Sequence, residues 1–169
     1  ACLESLIRRR MQSLKKLTDN GKKTISIIQL QGYVQNVSFK FEESANVVEL
    51  ARLKNLNLPT DYIEFLSISN GMFLFYTEIS GFPMGYASEV YSIDKVIAER
   101  KALPKSFNNM IPIMHIRDVG DMYINEEQRR LGKPYLTYSG MQASQCFDLS
   151  FSKWLDRYMV AGGNEFWNF

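Results

Sequence analysis

The chain of 169 residues is 46% hydrophobic and 22% charged, a balance that excludes disordered, fibrous and low-complexity classes and suits one domain around one sizeable core. No apolar run is long enough to span a bilayer, Arg8-Arg9-Arg10 is not followed by the apolar segment of a signal peptide, and Cys2 and Cys146 are too few for a disulfide framework. The formal charge of +2 is unevenly spread: residues 1–23 carry seven bases against Glu4 and Asp19, whereas the chain from Leu58 onward carries ten bases and thirteen acids.

Leu3, Leu6, Ile7, Met11, Leu14 and Leu17 recur at helical spacing and Asn20-Gly21 closes the segment, which reads as an amphipathic basic helix. Its lysines and arginines lack interleaved aromatics, so a solvated face is expected rather than a nucleic-acid contact. Thr24 to Leu30 and Tyr33 to Phe41 are rich in β-branched and aromatic residues around Gln31-Gly32, and predict a hairpin. Ala45, Val48, Leu50, Ala51 and Leu53 predict a further helix between Glu42 and Asn55.

Leu58 to Tyr76 is the most legible stretch. Pro59 suits a first helical position, Asp61 puts a negative charge in the positive first turn, and Asn70-Gly71 supplies a left-handed ending. Leu58, Tyr62, Phe65, Leu66 and Ser69 form one stripe, with Thr60, Asp61, Glu64 and Ser67 on the other side. Met72 to Tyr76 follows as a buried strand.

Beyond it, Thr77 to Ser88 holds Gly81, Pro83 and Gly85 and reads as a loop. Glu89 to Ile93 is the next strand, and Ser92 or Asp94 caps a helix that runs to about Leu103. Ile111 to Ile116 and Met122 to Asn125 are strands about the turn Arg117 to Asp121. Glu126 to Gly132 reads as a polar connection, Pro134 to Tyr138 as a strand and Gly140 to Gln145 as a turn. Ser150 caps a last helix with Phe151, Trp154, Leu155, Tyr158 and Met159 on one face, ended by Gly162-Gly163. The expected class is α+β: a twisted, mainly antiparallel sheet with helices packed on it.

The pattern Leu58-Pro59-x-Asp61-Tyr62-x-x-Phe65-Leu66-x-x-x-Asn70-Gly71 resembles the signature of the SUKH superfamily, which holds yeast cell-wall assembly regulators and bacterial immunity proteins of polymorphic toxin systems. The strand, glycine-acid turn and strand over 111–125 resemble that family too. So do Ser150-Phe151-x-x-Trp154-Leu155 and Gly162-Gly163-Asn164-x-x-Trp167. The resemblance covers residues 58–169, with 1–57 an extension of helix, hairpin and helix in the same single domain. It implies a non-enzymatic cytoplasmic protein that neutralises a cognate toxin by binding it directly. A regulatory scaffold of the cell-wall assembly type is the alternative.

The residues themselves offer little chemistry. His115 is the one histidine, and Cys146 with Asp148 would complete a hydrolase triad if their strands are neighbours. The plainer reading makes His115 a half-buried sheet residue and Cys146 a small core hydrophobe. Three His and Cys residues are too few for a structural zinc site, and Asp118, Asp121 and Glu126 read as turn chemistry rather than cation ligands. No Gly-x-Gly or Walker pattern cradles a phosphate. No catalytic residue, metal or cofactor is therefore expected, and no membrane partner.

What remains is contact surface. Eleven Phe, nine Tyr, eight Met and two Trp exceed what one core of this size needs, and such residues favour interfaces. The predicted protein-binding set is Phe82, Met84 and Tyr86 in the loop, Tyr123 on the strand beyond, and an acidic rim of Glu78, Glu89, Asp118 and Asp121.

Overall fold

The computed structural model of the protein describes residues 24–28, 32–79, 82–84, 88–141 and 145–168, so the basic leader helix lies outside the described residues. The elements run β1 (Thr24–Ile28), β2 (Val34–Phe41), α1 (Val47–Ala51), α2 (Thr60–Ile68), β3 (Met72–Ile79), β4 (Phe82–Met84), β5 (Ser88–Val90), α3 (Ile93–Ala102), β6 (Met110–Ile116), β7 (Gly120–Asn125), α4 (Glu126–Arg130), β8 (Leu136–Tyr138) and α5 (Phe151–Val160). Seven strands form one sheet in the order β1-β2-β3-β5-β6-β7-β8, and β4 pairs with the second half of β3. Every pairing is antiparallel, and the fold is α+β as expected. Among the described residues no helix is long and apolar enough to cross a membrane.

The predicted hairpin is β1 with β2, and Gly32 between them takes φ +84, a conformation a side chain would resist. Three expectations need correction. The helix expected between Glu42 and Asn55 shrinks to α1, because Asn46 and Glu49 form a reciprocal capping box that starts it late. Ala45 and Leu53 carry the burial on either side while Val47 and Val48 stay exposed. The loop expected at Thr77 to Ser88 instead continues β3 to Ile79 and returns as β4; Pro83 is tolerated there because, among the described residues, β4 pairs on one side only.

The polar connection after Asn125 is the helix α4. Asn125 Oδ1 accepts from the Glu127 and Gln128 N–H groups, acids fill the first turn and Arg129 and Arg130 the last. Such a helix has no apolar period to betray it. Asp61, on the side of α2 away from the apolar stripe, is itself buried. It is 6% exposed, and its Oδ2 accepts the Ser152 N–H at 2.8 Å, which fastens the start of α5 to α2.

The core lies where α2 and α5 meet the sheet. Tyr62 and Phe65 of α2 pack on Phe151 of α5 at ring distances of 5.0 and 5.8 Å. Leu74, Val90, Met114, Met122, Ile124 and Leu136 supply the sheet's buried side chains. Trp154 stacks on Tyr158 at 5.0 Å and on Trp167 at 5.6 Å, so the segment after α5 folds back on it.

Burial pushes the Tyr62, Tyr91, Tyr123, Tyr135 and Tyr158 hydroxyls up from the ordinary tyrosine range, Tyr158 to about 12. A raised folded value means the unfolded chain ionises first: stability is complete below pH 10 and falls as pH rises from about 10 towards 12. Phenolate absorbance should therefore reach its full complement of nine tyrosines only as native circular dichroism is lost. All nine ionised in an intact fold would contradict this packing.

Candidate functional site

Side chains alternate across a strand, so Ser88 and Val90 of β5 face α5 while Glu89 points to the opposite side, with Tyr91 following it. Antiparallel register sets Glu89 against His115, and His115 against Asp121. Three strands thus contribute one residue each to a single row, Glu89, His115 and Asp121, on the sheet face away from α5.

Hydrogen bonds fix the row. Asp121 Oδ1 accepts from Tyr91 Oη at 2.8 Å and lies 2.8 Å from His115 Nδ1, so the imidazole carries its proton on Nδ1 and donates it. Burial, and then the bond to Asp121, holds the Tyr91 hydroxyl protonated throughout the neutral range. Lys95 reaches back from the first turn of α3 to pair with Glu89, and its ammonium sits 4.5 Å over the Tyr91 ring. Glu99 adds a third carboxylate, whose field reaches both Tyr91 and Tyr123. Among the described residues the row thus sets three acids, Glu89, Glu99 and Asp121, against one lysine, which makes it acidic. The ring of Tyr123, two residues beyond Asp121, lies 6.4 Å from the exposed ring of Phe107 and tilted to it, which puts an apolar anchor beside the acids.

The predicted binding set is divided by this geometry. Glu89, Asp121 and Tyr123 come together on the row. Asp118 belongs to the β6–β7 turn at φ +62, beside Arg117, and is separate from them. Glu78, Phe82 and Met84 lie in the β3–β4 hairpin, where Glu78 is paired with Pro83, Phe82 with Ile79 and Met84 with Thr77. Tyr86 lies outside the described residues. Sequence reasoning passed over Tyr91, Lys95, Glu99 and Phe107. The signal for Tyr91 was its spacing of two from Glu89, which puts both on one face of the chain; nothing local announced the others.

The hydrolase triad is not assembled. His115 takes its carboxylate from Asp121, not Asp148, and Cys146 adjoins Phe147, which bridges Leu136 of β8. Two strands, β7 and β8, stand between β6 and that segment, so at about 4.8 Å per strand the thiol is on the order of 14 Å away laterally. Burial also pushes the Cys146 thiol up, which works against thiolate formation. Asp118, Asp121 and Glu126 do not converge either: Arg117, His115 and Arg100 respectively pair with them. Among the described residues no group of three or more His, Cys, Asp or Glu is placed to hold a metal ion.

Fold and site together define an α+β protein whose open sheet presents a hydrogen-bonded acidic row beside an exposed aromatic ring. No family model matches the chain, and no solved structure matches it. It is similar to the uncharacterized protein YobM of Bacillus subtilis (strain 168), 26% identical over 175 residues that cover 98% of this chain and 93% of that protein.

Proposed function

We propose that this chain is a non-enzymatic binding protein, an immunity protein that neutralises a cognate toxin domain in the cytoplasm by occluding it. The SUKH-like residues from Leu58 to Gly71 and from Ser150 to Trp167 motivate the reading. The observation that carries it is the row itself. Asp121 is held by two donors and Glu89 by one, so these acids are ordered before a partner arrives and cost little further entropy on binding. Phe107 beside them supplies the aromatic anchor on which interface energy concentrates. An acidic, pre-ordered patch speeds capture of a basic partner and loses that advantage in salt.

The test begins with the gene encoded immediately upstream. Its product, if a secreted protein with a toxin-like C-terminal domain, is expressed with and without this chain, and survival is scored. Binding is then followed with purified domains. Replacing Glu89 and Asp121 together with Ala is expected to slow association by about tenfold at low salt, and Phe107→Ala to speed dissociation by about tenfold. Survival that does not depend on this chain, or affinity indifferent to all three substitutions, defeats the proposal. A turnover abolished by His115→Ala in a folded protein would favour the hydrolase reading instead.

A further inference from the structure

The sheet face opposite the acidic row holds a cavity of about 360 Å³, bounded by the β1–β2 hairpin, the β6–β7 turn and the segment after α5. Phe75, Tyr33 and Tyr158 supply aromatic wall, Arg117 and Asp118 enter from the turn, and Glu165 from the other side. Ser88 and Tyr158, each 1% exposed, form its floor.

The floor is short of an acceptor. Ser88 Oγ lies 2.7 Å from Tyr158 Oη and also accepts the Arg117 backbone N–H at 2.9 Å. Two hydroxyls bring two protons, and only one of them lies between the two oxygens. The other has no acceptor among the described residues, whichever hydroxyl donates. Above it the Arg117 Nε makes a 3.3 Å pair with the exposed Asp118, and the two terminal nitrogens of the guanidinium have no partner among the described residues. Donors and acceptors therefore line the same cavity: Asp118 stands beside Arg117, and Glu165, steadied by Asn168 Nδ2 at 2.7 Å, enters from the segment after α5.

The backbone is also shaped here at a cost. Phe75 at φ +56 and Asp118 at φ +62 are the non-glycine residues of positive φ among those described, and both line this cavity. Gly162 and Gly163, at φ +65 and +80, carry the chain past it, and a Cβ on Gly163 would sit 2.8 Å from the Phe75 ring. A simple anion would meet the two carboxylates, and a simple cation would leave the guanidinium and the spare hydroxyl unanswered. A small molecule carrying both charges a few ångströms apart meets every group.

We propose that this cavity binds a free α-amino acid as its zwitterion. The carboxylate takes the Arg117 guanidinium and the spare floor hydroxyl, the ammonium lies towards Asp118 and Glu165, and the side chain rests on Phe75 and Tyr33. The volume suits a ligand of that size.

The test is titration calorimetry on the full chain, with NMR line shifts as a second readout. The probes are L-alanine and L-arginine, propionate and propylamine as single-charge controls, and N-acetyl-alanine amide as a blocked peptide mimic. Binding of either amino acid at least tenfold tighter than all three controls is expected. Arg117→Ala should weaken it by tenfold or more without moving the thermal midpoint, since that side chain is exposed and its ion pair is a surface one. Asp118→Asn, at a still more exposed side chain, should weaken it as well and serves if the first variant is poorly folded. Propionate equal to alanine, the blocked amide equal to alanine, indifference to both substitutions, or no amino acid binding more tightly than about 10 mM would each overturn the proposal.

Discussion

Trp154→Ala is expected to be the most destabilising single change described, costing about 3–5 kcal/mol, in line with the loss of a fully buried aromatic side chain. Trp154 is inaccessible to solvent and its ring meets Tyr158, Trp167, Phe166 and Phe147 at 5.0, 5.6, 5.8 and 6.2 Å. Removing it opens a void between α5 and the segment folded back on it, where the rings on either side cannot close together. For a chain of this length the thermal midpoint should fall by roughly 10 °C or more. Trp154→Phe should cost far less. It keeps most of the ring contact, and it removes a buried indole N–H that has no hydrogen-bond partner among the described residues. A thermal shift of under about 2 °C for the alanine variant would mean that the aromatic cluster does not hold the closing helix in place.

Gly71→Val is expected to cost about 3 kcal/mol for two reasons that add. Gly71 sits at φ +103, which a β-branched residue resists, and its missing Cβ would lie 3.1 Å from the Ser92 N and 3.3 Å from the Val90 O, both backbone atoms that cannot swing aside. The corner it occupies joins several elements. Asn70 Oδ1 accepts the Ile93 N–H at 2.9 Å at the start of α3, and Ser69 Oγ bonds both backbone groups of Glu42 at 3.0 and 3.1 Å. Strain at Gly71 should therefore loosen β2, α3 and the end of α2 together. Amide hydrogen exchange checks it: protection should drop in all three, and a loss confined to residues 69–72 would show the corner to be independent of them.

The same corner marks how far local sequence reaches. Asn70-Gly71 was legible as the end of a helix, since a left-handed glycine is a property of a few adjacent residues. That the asparagine side chain turns away to cap a different helix, 23 residues on, was not. Asp61 is legible as a charge in the first turn of its helix, but not as a buried link between helices. Its partner is the N–H of Ser152, 91 residues later. The acidic residues Glu89 and Asp121 were picked out as contact residues, but as a rim to the 82–86 loop. Register across β5, β6 and β7 aligns them with His115 instead, and β5 is divided from β6 in sequence by the whole of α3.

By itself the sequence determined the α+β class, most helix limits, the paired strands about Gly32 and Gly120, and the buried face of α5. Caps, turns and apolar periods act within one or two turns of chain, and so they survive being read in one dimension. Only the tertiary structure decided which carboxylate meets His115, which hydroxyl lies under Arg117, and that Cys146 stands strands away from both. Those outcomes depend on strand order and register, which are set by how distant apolar faces fit against one another and leave no trace in any short stretch of residues.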